Sequence, residues 1–297
     1  MTTTSATPAP SPVVRQASSS PRPGRRGRTM AQVVRHLLLV LFLAMILIPA
    51  YVLIVTSFKP AAETSASQAW LPPDAWTLDG WRTAWESLQA PLLRTFSLAI
   101  PAALLSSILG SMNGFVLSRW RFPYANLVFA FLLFGMFIPY QAVMIPLVQL
   151  MRDIGVPNGI PALIIVHTIF GLPICTLIFR NYYESVPADL IEAARIDGAG
   201  MLATYARVIL PLSAPGFVVT IIWQFTSVWN DFLFAIFLSN NRNGPVTIAL
   251  NALAGGQLSN YAASMAGAMI ASVPTLIVYI ILGRYFVGGL MAGSVKG

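Results

Sequence analysis

The sequence predicts an all-α membrane protein with six transmembrane helices, and three observations carry that expectation. Charge is scarce: of 297 residues 56% are hydrophobic and only 9% charged, against about 25% charged in an ordinary soluble domain, so the chain cannot clothe a water-facing surface. Six stretches, approximately 37–57, 95–118, 126–150, 160–180, 214–238 and 263–287, are apolar over a long enough run. A spanning helix needs about 20 such residues, at about 1.5 Å each across about 30 Å of hydrocarbon. The runs are continuously apolar and do not alternate, which excludes the strands of a transmembrane barrel.

Residues 1–30, rich in Ser, Thr, Pro and Arg, bury nothing apolar and read as a disordered basic tail, leaving 31–297 as the membrane domain. The first apolar run is too long for a signal-peptide core and no small-x-small cleavage site closes it, so it reads as a retained anchor. Residues 58–93 form a connection whose Trp70, Trp76, Trp81 and Trp85 suit a membrane–water interface. Pro101, Gly110, Pro139, Pro146, Gly171, Pro173 and Pro274 fall inside the apolar runs; they kink helices and are tolerated where neighbours re-satisfy the backbone.

Orientation follows from the basic residues. With a cytoplasmic N-terminus, 13 of the 18 Lys and Arg lie inside and 5 outside, which places both termini in the cytoplasm. The net charge of +8 is therefore assigned to orientation and anionic lipid, not to nucleic acid. The single cysteine, Cys175, lies in an apolar run where packing is its expected role.

Between spans four and five, residues 182–213 form a polar insert. Pro187 and Asp189 suit a helix start, and Gly198 and Gly200 can end that helix. A second short helix over about 200–209 puts Leu202, Tyr205 and Ile209 on one side and stops before Pro211. The expected product is a protruding helix-turn-helix whose small Ala193/Ala194 surface is ringed by charge, with Glu192 and Asp197 able to seat it on a basic partner.

On span five, Thr220, Gln224, Ser227 and Asp231 recur at helical spacing, flanked by Trp223 and Asn230. Polar groups facing lipid go unsatisfied, so this stripe faces a protein interior or a water-filled cavity. Two uses stay open: a path for a hydroxyl-rich substrate, or an interface with a partner. Asp231, near the end of the run, also suits an ion pair or a backbone contact.

Other candidate sites carry little chemistry. The segment Gly110–Ser111–Met112–Asn113–Gly114 departs from a nucleophile elbow, and its glycines instead suit a close helix contact. His167 has no second His, Cys or carboxylate cluster beside it in sequence, so a packed, hydrogen-bonded histidine is expected and no metal site. The chain has no G-x-x-x-x-G-K-[ST] loop to cradle nucleotide phosphates. No catalytic residue is assigned and no bound cofactor is expected.

The segment EAARIDGAG followed by VILPLSAP resembles the EAA motif of permease subunits of binding-protein-dependent, ATP-driven (ABC) importers; Glu192, Ala193, Ala194, Asp197, Gly198, Pro211 and Pro215 occupy its positions. WNDFLFA at 229–235 and the terminal RYFVGGLMAGSVKG at 284–297 resemble the carbohydrate branch, specifically the maltose-type second permease subunit. The resemblance covers about residues 36–297, and its departures are the long N-terminus and Ser294, where the family often has Ala or Gly. It implies a type I ABC importer permease fold in a bacterial cell membrane. The implied partners are a second homologous permease, an ATPase dimer that uses ATP and Mg, and an extracytoplasmic sugar-binding protein. It further implies that the EAA loop docks on the ATPase, and that the last residues, Gly293, Ser294, Val295, Lys296 and Gly297, reach toward the ATPase interface. The segment 219–251 looks most like glucose/mannose-type members. A self-sufficient secondary transporter or channel is the alternative; it calls for an internal repeat or an intramembrane ion relay, and neither is visible.

Overall fold

The computed structural model describes residues 25–120, 122–255 and 260–294, and every element among them is helical. In chain order these are α1 (Arg25–Ser57), α2 (Asp79–Arg119), α3 (Ala125–Phe134), α4 (Tyr140–Asp153), α5 (Ile160–Glu184), α6 (Ala188–Ile196), α7 (Met201–Thr204), α8 (Leu210–Leu212), α9 (Ala214–Trp229), α10 (Leu233–Leu238), α11 (Val246–Gly255) and α12 (Tyr261–Ser294). Helices within α1, α2, α5 and α12 are long and apolar enough to cross a membrane, and two bent pairs, Ala125–Phe137 with Tyr140–Asp153 and Met201–Leu212 with Ala214–Trp229, pass the same test together. Contacts divide the chain at Ala50/Tyr51, inside α1, and not near residue 30.

Several boundaries differ from the sequence reading. Helix α1 begins at Arg25, so residues 25–30 are helical; a helix nucleated in the apolar run propagates outward through Arg, Met, Ala and Gln, which favour it. The expected tail over residues 1–24 lies outside the described residues. Helix α2 has 41 residues where a span over 95–118 was expected; it is about 60 Å long, twice the hydrocarbon thickness. Its first half therefore extends the span far into the connection read as 58–93. Span three is broken: Gly135 closes α3, Pro139 offers no amide at the start of α4, and the two halves meet at 98°.

Before α2, residues 58–78 fold against the start of that helix. Thr77 N donates to Phe58 O at 2.9 Å, and the buried Lys59 ammonium donates to Gln68 O. Phe58 sits between Trp76 and Trp81, with ring centroids 5.8 and 5.5 Å away. Trp70, Trp76 and Trp85 stay exposed.

From Tyr51 onward the core forms around α2, with α5, α9 and α12 packed along it. Its tightest seam is α2 on α5. A Cβ added at Gly110 would stand 2.4 Å from Cys175 Cβ, and one at Gly114 would stand 2.7 Å from Phe179 Cβ. The glycine pair thus makes the close helix contact that its spacing suggested, and Cys175 packs into it. Trp229 locks α9 to α12 by donating to Ala271 O at 2.9 Å.

Span five is also interrupted. Helix α9 ends at Trp229, and the Asp231 carboxylate accepts from the amides of Phe234 and Ala235 at 3.3 and 3.1 Å, capping α10. This backbone contact breaks the continuous helix expected over 214–238. At the other end of the chain, α12 runs to Ser294 despite the glycines among its last residues. Each glycine costs about 1 kcal/mol in a helix interior, yet extending an existing helix needs no new nucleus.

The α2–α5 seam yields a sharp prediction. Gly110→Ala, which drives a methyl into Cys175, is expected to destabilise the protein by about 1–3 kcal/mol. Gly135→Ala, where nothing lies within 4 Å of the added carbon, is expected to be near neutral. Thermal unfolding of the two variants in detergent reads the difference; equal midpoints would remove the seam from the account of stability.

Candidate functional site: the loop between α5 and α9

Helix α6 starts after Pro187, which precedes its first helical residue, and carries Asp189 in its first turn. It buries Ile191 and Ala194, three residues apart on one face, and exposes Glu192, Ala193, Ile196 and Asp197 on the other. Ala194, at 9% exposure, therefore belongs to the packed side and not to the outer surface expected of Ala193/Ala194 together. The outer surface gains Ile196, 86% exposed. Gly198 ends the helix at φ 78°, a left-handed conformation that a side-chain-bearing residue adopts only under strain, and Ala199 N returns to Ala194 O at 2.9 Å.

The second helical piece departs from expectation in two ways. It does not stop before Pro211; α7 passes through a π-helical turn, Tyr205–Ile209, into α8. The wider turn bonds Leu210 N to Tyr205 O and accommodates the Pro211 ring, which in an α-helix clashes with the carbonyl four residues back. Nor do Leu202, Tyr205 and Ile209 share a side. Leu202 is 67% exposed, whereas Ile209 is fully buried and Tyr205 half-buried, because the π turn shifts the helical phase between them.

The buried side of the loop rests on a second apolar cluster, Phe115, Phe179, Tyr183, Ile191 and Ile209. Polar groups pin it there. Arg119, at the end of α2, donates to both Tyr183 O and Val186 O, which cap the end of α5. Arg195 lies over the Trp120 ring, 4.9 Å from its centroid. A cleft of about 510 Å³ opens between Arg119–Trp120 and α6, bordered by Glu192. Tyr182 Oη donates to Leu212 O at 2.6 Å, and Ser111, Tyr183, Tyr205 and Ser213 join hydroxyls at 2.6–2.9 Å. Sequence reading missed this group. The one signal was Ser111 between Gly110 and Gly114, a stretch read only for its glycines.

The polar stripe of span five divides. Thr220 and Gln224 point inward: Thr220 Oγ1 donates to Gly216 O on its own helix, and Gln224 Nε2 donates to His167 O at 2.9 Å. Gln224 also fills the space a side chain at Gly171 would need. Gln224 thus ties α9 to α5, Thr220 is satisfied within its own helix, and Asp231 has left the helix to cap α10. What stays exposed is Trp223, Ser227 and Asn230, at i, i+4 and i+7 along the adjoining strip of the helix surface. His167 is packed as expected, edge-on to Phe234, but its Nε2 makes no hydrogen bond, lying 3.5 Å from Asp231 Oδ2, which is long for one. Of the terminal residues, Gly293 and Ser294 belong to α12, and Val295, Lys296 and Gly297 lie outside the described residues.

Comparison with known proteins meets this geometry. The model of the family described as "binding-protein-dependent transport system inner membrane component" matches residues 102–290, which take in the α5–α9 loop and the helices beneath it. The xylose/arabinose import permease protein XacI of Haloferax volcanii is 34% identical over 287 residues, covering 88% of this chain and 92% of that protein. The melibiose/raffinose/stachyose import permease protein MelC of Bacillus subtilis is 32% identical over 277 residues, covering 92% of this chain and all of that one. A crystal structure of a bacterial ABC transporter involved in the import of the acidic polysaccharide alginate shares the fold, with a TM-score of 0.74 at 23% identity over 90% of this chain. A multi-pass helical chain with an EAA-bearing loop footed on its own spans, matched over more than half its length by that model, belongs to the family of inner-membrane components of binding-protein-dependent (ABC) transport systems.

Proposed function

We propose that this chain is one of two permeases lining the path of an ATP-driven sugar importer, and that it takes its motion from an ATPase through the outer face of α6. The observation that carries this reading is the division of α6 into two faces. Ile191 and Ala194 fix one face to the spans, while Glu192, Ala193, Ile196 and Asp197 stand free on the other. An exposed isoleucine flanked by carboxylates suits a groove with an apolar floor and a basic rim. The chain has no phosphate-cradling loop, so ATP and Mg are used by the partner and this subunit performs no hydrolysis itself.

Sugar as the cargo is supported by the two relatives, whose names assign them a pentose pair and a set of galactose-containing oligosaccharides. These share hydroxyl-rich rings with apolar faces. The exposed Trp223, Ser227 and Asn230 supply an aromatic face, a hydroxyl and an amide on one side of α9, which serve either such a ring or the second permease. Both termini and the α5–α9 loop are cytoplasmic in this reading, on the distribution of Lys and Arg. An extracytoplasmic binding protein delivers the sugar on the opposite side, and the last residues, 293–297, extend toward the ATPase.

The reading is tested by uptake of labelled sugar into proteoliposomes holding the permease pair, the ATPase and the binding protein. Uptake is expected only with hydrolysable ATP; uptake driven by an ion gradient without ATP identifies a secondary transporter. Within that system Glu192→Lys, Ile196→Asp and Gly198→Val are each expected to lower uptake and ATPase co-purification about tenfold or more. Removal of residues 293–297 is expected to lower ATP hydrolysis while insertion into the membrane persists. Wild-type co-purification of all three substituted chains would end the docking assignment.

The corrected stripe gives a second expectation. Trp223→Ala and Asn230→Ala are expected to raise the apparent KM for sugar or change its selectivity, by about 3–30-fold, without loss of folded protein. Gln224→Ala, which strips the tie to His167 O, is expected to lower the yield of folded protein instead. Kinetics and yield that reverse this pattern would put the sugar path on the Thr220–Gln224 face.

A further inference from the structure

Four hydroxyls meet where α2, α5, the π turn and the α8–α9 junction come together, and their directions are determined. Ser213 Oγ lies 2.6 Å from Ile209 O; a carbonyl only accepts, so the single Ser213 proton goes there. Ser213 Oγ must then accept from Tyr183 Oη, 2.8 Å away. Tyr183, its proton committed, accepts from Ser111 Oγ at 2.6 Å, and Ser111 in turn accepts from Tyr205 Oη at 2.9 Å. The result is a one-way chain, Tyr205 to Ser111 to Tyr183 to Ser213 to Ile209 O. Ser111, Tyr183 and Ser213 are fully buried. Every hydroxyl between the ends both accepts and donates, so each bond polarises the next.

The two ends of the chain are what give it a purpose. Tyr205 and Ile209 are the first and last residues of the π turn. The chain leaves the turn at one end, passes through α2 and α5, and re-enters it at the other. The π turn is the one stretch of non-α helical backbone between α7 and α8, and π turns relax to α geometry by a one-residue shift. A load on the loop that met an unstapled turn would be absorbed there. Stapled at both ends to two buried spans, the turn cannot change register without opening the whole hydroxyl chain. Tyr182 Oη to Leu212 O and Arg119 to Tyr183 O and Val186 O close off the flanks.

We propose that this hydroxyl chain is the transmission element of the transporter: it makes the α6–α8 loop and spans two, four and five one rigid body, with Tyr183 as its central positioning residue. The proposal rests on the reading of the loop as the ATPase-coupling surface. Its specific content is that breaking the chain wastes ATP. The loop still docks and the ATPase still turns over, but the stroke is lost in the π turn.

Tyr183→Phe keeps the ring, which stacks on Phe179 at 5.6 Å, and removes both hydrogen bonds of the central hydroxyl. In proteoliposomes of the full complex, ATP hydrolysed per sugar imported is expected to rise about fivefold or more. Hydrogen exchange of amides 201–213 in the purified complex is expected to quicken about tenfold, while exchange within 160–180 stays unchanged. Tyr205→Phe, which removes only the first donor, is expected to move both readouts the same way by less, and serves if the first variant folds poorly. An unchanged ratio of ATP to sugar, with both rates falling together, overturns the transmission role and leaves a merely structural one. If the wild-type complex imports no sugar on ATP, the functional reading fails and the exchange measurement still decides the staple. Unchanged exchange at 201–213 in Tyr183→Phe overturns it.

Discussion

The membrane interior contains no water to pair a polar group, so a buried donor or acceptor is favoured where it finds a partner in protein. Much of the arrangement from α2 to α12 follows from that constraint. Gln224 is tied to His167 O, Trp229 to Ala271 O, Thr95 to the amide of Val246, and Ser106 to Ala102 O on its own helix. Each satisfies a polar group, and all but Ser106's tie bridge two elements and fix one against the other. Ser107, Thr168 and Thr176 are buried without a partner. They lie on α2 and α5, whose close approach at Gly110 and Gly114 calls for small side chains, and there the hydroxyl is incidental to size.

The fold was largely legible because the apolar runs are long and their medium is uniform. Spans four and six and a close helix contact at Gly110 and Gly114 could be read directly, while Cys175 as the residue across from Gly110 could not. Where the sequence misled, a local interaction overrode periodicity. Thr220, Gln224, Ser227 and Asp231 keep helical spacing on paper, yet Asp231 caps α10 and so ends the helix that the spacing assumes. Leu202, Tyr205 and Ile209 were phased as an α-helix, and a π turn inside the segment rotated Leu202 outward. The hydroxyl chain was illegible for a different reason. Its members come from four elements, separated by up to 102 residues between Ser111 and Ser213, and no local pattern announces a contact of that kind.

These corrections sharpen the functional picture. The α5–α9 loop has a foot and a face, and different chemistry builds each. The foot is aromatic and hydroxylic, anchored by Arg119 to carbonyls at the end of α5. The face is Glu192, Ala193, Ile196 and Asp197, left uncovered among the described residues. On the proposed docking role, this face gains from being rigid before contact, since ordering it at each encounter would weaken binding. On the same proposal, a foot that carries force gains from hydrogen bonds that reinforce one another.

The claim that loop and spans move as one body is tested most directly by a distance. Spin labels at Arg207→Cys on the π turn and Ile169→Cys on α5, both exposed positions, in a Cys175→Ser background, would be measured in the complete complex with and without ATP. The account predicts a single distance, the same in both states. A change of about one helical rise to one full turn, roughly 1.5–5 Å, would contradict it.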